Sequence, residues 1–127
     1  MSKRFVMHIA GTEVVVELLE QEAPTISQRM WEQLPVESFS VHAKFAGQEM
    51  IVMVPFYAEP ENEILDVQPG DIGYYPGRQT ICLFYGQTQP FGYVSLFARV
   101  VSDLDDLKAT GDRVLREGIL PVRLERS

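Results

Sequence analysis

A single cysteine, Cys82, leaves no internal disulfide to be made and fits a reducing cytoplasm. Positive charge is scarce: 11 Lys and Arg stand against 18 Asp and Glu, a formal charge of −7. Nucleic acids and anionic membranes are held through Lys and Arg, so neither is expected as a partner. No apolar run approaches the ~20 residues that span a bilayer. The opening Met1-Ser2-Lys3-Arg4 is basic, but the apolar stretch behind it is short and contains His8, so no signal peptide is expected. The chain has no P-loop, no GxGxxG, no GxSxG and no Cys/His cluster at zinc spacing, so neither a cofactor nor a metal is expected. Repeats, linkers and low-complexity tracts are missing too. One domain over residues 1–127 is the expectation, with 46% apolar residues to fill a core.

What is present concentrates in residues 67–90, VQPGDIGYYPGRQTICLFYGQTQP. Two Pro-Gly turns, at Pro69-Gly70 and Pro76-Gly77, each launch a short apolar, aromatic run. Pro presets φ near −65° and Gly accepts positive φ, so both read as type II turns.

The remainder arranges around this pair of strands. Phe5, Met7 and Ile9 alternate, as do Val14, Val16 and Leu18, across a break at Gly11-Thr12: an opening hairpin. Residues 24–34 read as a helix with Pro24 in its first turn and Ile26, Met30 and Leu34 on one face. Residues 37–46 and 49–54 read as a second hairpin about Gly47-Gln48. Residues 93–101 read as the longest strand, apolar on both faces. Ser102-Asp103 offers an N-cap to a helix over Leu104–Glu117, with Leu104, Leu107, Val114 and Leu115 as its stripe and Gly118 as its stop. Residues 119–125 close as a strand placed at an edge by Pro121. The expected fold is mainly β: a closed antiparallel barrel of about eight strands with two helices, closure removing exposed edges.

Ala23-Pro24-Thr25 with Trp31 and Leu34 resembles the first helix of cyclophilins. Pro69-Gly70-Asp71-Ile72, Tyr75-Pro76-Gly77, Leu83-Phe84-Tyr85-Gly86 and Pro90 are similar to a family of small uncharacterised prokaryotic proteins with a cyclophilin-like barrel. That resemblance implies a cyclophilin-like barrel over most of the chain. It does not extend to the isomerase residues. The Phe-x-Arg segment and the Phe-Met-x-Gln-Gly-Gly-Asp block of cyclophilins have no counterpart in residues 40–48, SVHAKFAGQ. Lys44 falls near the place of the arginine, but an ammonium does not reproduce a planar guanidinium.

Ser38, Ser40, His42 and Lys44 share one strand face, read either as a solvated face or as a polar pocket mouth. Tyr74, Tyr75, Phe84, Tyr85, Phe91 and Tyr93 crowd into residues 74–93, and alternation sends neighbouring rings to opposite faces. Arg78 sits in the turn above them and suits an anion. Cys82 reads as an inert thiol, and Glu59, Glu61 and Glu63 as a solvated acidic loop. The expected site is therefore an aromatic-lined groove outside the barrel, formed by His42, Lys44, Tyr75, Arg78, Tyr85 and Phe91. It would take a small anionic ligand or a peptide. The alternatives are a peptidyl-prolyl isomerase with a non-standard site and a subunit whose groove is a homo-oligomer interface.

Overall fold

A computed structural model describes residues 2–90 and 92–127. Nine strands and two helices follow in order: β1 Arg4–Ile9, β2 Thr12–Leu18, α1 Pro24–Gln33, β3 Val36–His42, β4 Gly47–Met53, β5 Glu63–Ile64, β6 Asp71–Tyr75, β7 Thr80–Thr88, β8 Val94–Val100, α2 Leu104–Glu117 and β9 Leu120–Arg126. The strand order is β2-β1-β9-β3-β4-β7-β6-β8, and β2 pairs β8, so eight antiparallel strands close into a barrel. The ninth, β5, adds to the other half of β8, opposite Val94 and Ser95.

The closure follows from alternation. Phe5, Met7 and Ile9 of β1, and Val14, Val16 and Leu18 of β2, are at most 1% exposed and fill the interior. The β1–β2 turn uses positive φ at Ala10 and Gly11. Met50 and Val52 of β4, Ile72 and Tyr74 of β6, and Ile81 and Leu83 of β7 complete the same core. Each helix buries one face. Ile26 and Met30 of α1 are fully buried. Pro24 occupies its first turn, and the N-terminal amides of Thr25 and Ile26 donate to Glu61 at 3.2 and 2.8 Å. Glu61 is thus a helix cap carried by a distant loop, rather than a solvated acid. In α2, Asp103 accepts from the amides of Asp105 and Asp106, and Gly118 ends the helix at φ 94°.

Several expectations change. The α2 stripe is Leu107, Thr110, Gly111 and Val114, while Leu104 and Leu115 are exposed. A Cβ on Gly111 would collide with the Tyr85 ring, which sets how closely this helix approaches the barrel. The second hairpin turns through residues 43–46, and Gly47 already belongs to β4, ahead of a register shift. The longest strand is β7. In β8 the alternation breaks opposite Ile72 and Gly73, so Phe97 and Ala98 both enter the main core. β9 lies between β1 and β3; Pro121 is tolerated because pairing with β1 begins only at Val122. Of the two Pro-Gly turns, Gly70 takes positive φ at 95°, with the Asp71 amide donating to Gln68 O. Pro76–Arg78 instead forms one 3-10 turn that ends on Gln79 in the left-handed region.

Candidate functional site

The outward faces of β4, β6 and β7 carry a second, smaller cluster. Directly opposed residues in antiparallel strands share a face. Glu49 stands opposite Phe84, Ile51 opposite Cys82, and Tyr75 opposite Thr80. Cys82, Phe84 and Val94 form the buried centre, with Ile51, Ile64, Val67 and Tyr75 packed around it. The loop holding Ile64 and Val67 covers this side of the barrel, which is why an outer face is buried at all.

Into this apolar setting the fold puts a carboxyl group. Glu49 is 2% exposed, and its Oε1 has no hydrogen-bond partner. Desolvation pushes its pKa up, opposed by the Cys82 thiol beside it and by the charges of His42 and Arg78. The Cys82 thiol is itself pushed well up, first by burial and then by Glu49, so it is held protonated and is no nucleophile. Burial likewise raises the Tyr75 hydroxyl, which Cys82 and Glu49 reinforce and Arg78 opposes. Arg78 is exposed and makes no ion pair or hydrogen bond among the described residues, yet its charge acts on all three groups. Among the described residues no group of three or more His, Cys, Asp and Glu could hold a metal ion. Chemically, this arrangement offers an acceptor, two protonated donors and an open cation over apolar walls.

Residues 6–126 match the family described as protein of unknown function DUF3830. The chain belongs to that family. No curated protein matches it. Among solved structures, the DUF3830 chain is similar to McbB in complex with tryptophan, at TM-score 0.86 and 17% identity over 97% of its own length. It spans 44% of the McbB chain. It is also similar to the hypothetical protein AF2241 from Archaeoglobus fulgidus, at TM-score 0.77 and 26% identity, covering 99% of this chain and 95% of that one.

Of the residues expected to form one groove, Tyr75 and Arg78 do lie together on the outer face of the DUF3830 barrel. His42 and Tyr85 do not. His42 opposes Met50 and so faces inward with Ser40, which is fully buried. The Tyr85 ring is in the main core against α2. The two are joined: His42 Nε2 is 2.6 Å from the Tyr85 hydroxyl, and His42 Nδ1 is 2.8 Å from Ala43 O. A carbonyl only accepts, so Nδ1 donates to Ala43 O, and Nε2 is the nitrogen that meets the Tyr85 hydroxyl. Lys44 is exposed in the bend after β3, beyond the strand that was to align it with His42. Phe91 lies outside the described residues.

Glu49 escaped the sequence reading. Its one signal was an acid leading directly into the apolar run Met50–Met53, on the face that alternation assigns to Ile51. A cleft of about 350 Å³ lies elsewhere, beside Trp31 and Ser27. There the indole is already flanked by Lys3 Nζ at 5.3 Å and Arg126 Cζ at 4.6 Å. The aromatic face of that cleft is satisfied from within the chain, which favours the Glu49 region.

Proposed function

We propose that this barrel is a cytoplasmic binding domain that holds a small anionic ligand or a peptide carboxylate on the outer face of β4, β6 and β7. One observation carries the reading: Arg78 stands unpaired among the described residues beside Tyr75, over an apolar face into which Glu49 is set. A guanidinium in that position offers a carboxylate charge-assisted hydrogen bonds. The acidic surface at −7 repels anions at a distance, so the site depends on this local charge. McbB, which shares this fold over 44% of its own chain, is in complex with tryptophan, and this supports a small aromatic molecule as the class of ligand to try first. Isomerase activity is disfavoured, since the Phe-x-Arg segment is missing from residues 40–48.

The test is a calorimetric titration with 3-phenylpropionate, an aromatic carboxylate. Arg78→Ala should weaken binding about tenfold or more, the worth of one charge-assisted hydrogen bond. Its melting temperature should stay that of the parent chain. Equal affinity in the two proteins, or none in the parent, ends this reading.

A second reading is a homo-oligomer. Phe39 is 52% exposed on the outer face of β3, opposite Pro121 of β9, and Ile119, two residues before Pro121, is 65% exposed. An elution volume on a sizing column that matches 14.4 kDa at all concentrations excludes it.

A further inference from the structure

We propose that the ligand of the outer-face site carries a nitrogen donor, an ammonium or an amine N–H, beside its apolar body, and that Glu49 receives it. This rests on the binding reading above and adds the chemical class: an amphoteric molecule, with its acidic end on Arg78 and its basic end on Glu49.

The argument begins with what Glu49 lacks. An ionised carboxylate only accepts hydrogen bonds and has about four lone-pair sites to fill. Glu49 Oε1 fills none of its own, although the residue is 2% exposed. Buried polar atoms in folded proteins are overwhelmingly partnered, so an orphan of this kind calls for a reason. The backbone supplies none: no amide among the described residues donates to Oε1, and the neighbouring Met50–Val52 are held between β3 and β7. The side chains supply little. Phe84 and Ile51 are apolar, and the Cys82 thiol is a weak donor. Arg78, the strong donor of this region, influences Glu49 only at a distance and makes no ion pair with it.

Folding alone would favour an apolar residue here, as at Ile51 two positions on. The acid fits instead a role realised only when a donor arrives from outside. Burial then makes the contact selective: an ammonium pairs with the carboxylate, whereas a ligand with no donor leaves the acid unmet and gains nothing from it. Tyr75 and Ile51, both half-buried on the same face, are the apolar surface for the body of the ligand beside the two poles.

Three probes separate the poles, each titrated into the whole chain by calorimetry: L-phenylalanine with both, 3-phenylpropionate with the acid only, and 2-phenylethylamine with the amine only. Phenylalanine should bind at least tenfold more tightly than 3-phenylpropionate. Glu49→Gln, which keeps size and removes charge, should cost phenylalanine and phenylethylamine tenfold or more. It should leave 3-phenylpropionate within twofold. Circular dichroism melting checks that the variant folds; should it not, Glu49→Asp, which withdraws the carboxylate by one methylene, should show the same selective loss. Equal binding of phenylalanine and 3-phenylpropionate, or unchanged amine affinity in Glu49→Gln, overturns the role of Glu49 while the Arg78 site stands. Failure of all three probes on the parent chain overturns both.

Discussion

Tyr74 and Tyr75 are adjacent in β6 and live in different worlds. Tyr74 points into the barrel, fully buried, stacked on Phe56 with centroids 5.0 Å apart. Its hydroxyl donates to Phe56 O at 2.8 Å and accepts from the Ala58 amide at 3.2 Å. Tyr75 points outward beside Cys82 and Glu49, and its hydroxyl makes no hydrogen bond among the described residues. The inward face is apolar apart from paired groups such as the Tyr74 hydroxyl, and apart from the neutral hydroxyl of Ser40, which is buried without a partner among the described residues. The outward face holds an orphaned acid, a buried thiol and an unpaired cation. A strand built for closure alone has no need of that second set.

The largest effect should come from the inside. Met30 is fully buried on α1, and Met30→Ala should cost ~2–5 kcal/mol in denaturant unfolding, transfer and cavity terms together. A change within error would mean that the α1 face is no part of the core. Tyr74→Phe should cost less, ~1–3 kcal/mol, because it strands Phe56 O and the Ala58 amide in a buried place.

Glu49 should reverse the sign. Glu49→Met fills the same volume without an unmet acceptor, so it should stabilise the chain by ~1–3 kcal/mol at neutral pH. The pH dependence follows from the raised pKa. The unfolded carboxyl ionises first, near its ordinary 4.5, and the folded one later. Stability contributed by the protonated native acid is therefore fully present below that value and lost as pH rises through the folded pKa. The advantage of Glu49→Met should be small in acid, grow through this window and level off above it. Destabilisation at neutral pH would make Glu49 a structural residue and erase the contrast between the faces.

How much of this was readable in advance tracks the same divide. The opening hairpin, both helices and the closed barrel followed from periodicity, because strongly apolar alternation admits one burial pattern. β3 misled because its alternation is inverted: Ser40 and His42 face in while Phe39 faces out at 52% exposure. On that inward face His42 is paired with Tyr85 and Ala43 O while Ser40 is left without a partner among the described residues, and no local pattern announces a partner 43 residues away. Glu61 hid for the same reason, since a cap delivered 35 residues from its helix leaves no spacing to read. Tyr75 and Arg78 were legible as a pair because the turn that joins them is short. Glu49 was not, because its environment is made by a loop, residues 55–70, whose path the sequence leaves open.

The smallest expected effect on stability is the sharpest comparison. Tyr75→Phe removes one hydroxyl from the strand position next to Tyr74 and leaves the ring in place. With no hydrogen bond to lose among the described residues, the change in unfolding free energy should stay within ~0.5 kcal/mol, against the ~1–3 kcal/mol expected for Tyr74→Phe. Two neighbouring phenols would then differ several-fold in cost for the same deletion, by virtue of facing opposite sides of one sheet. Binding should rank them the other way. The Tyr75 hydroxyl is held protonated by burial and so remains a donor for a ligand carboxylate near Arg78. Tyr75→Phe should weaken 3-phenylpropionate by a few-fold, the worth of a single neutral-donor hydrogen bond, while a folded Tyr74→Phe leaves it unchanged. If Tyr75→Phe destabilises as much as Tyr74→Phe and spares affinity, the outer hydroxyl belongs to the fold, and the outer face is only a second core.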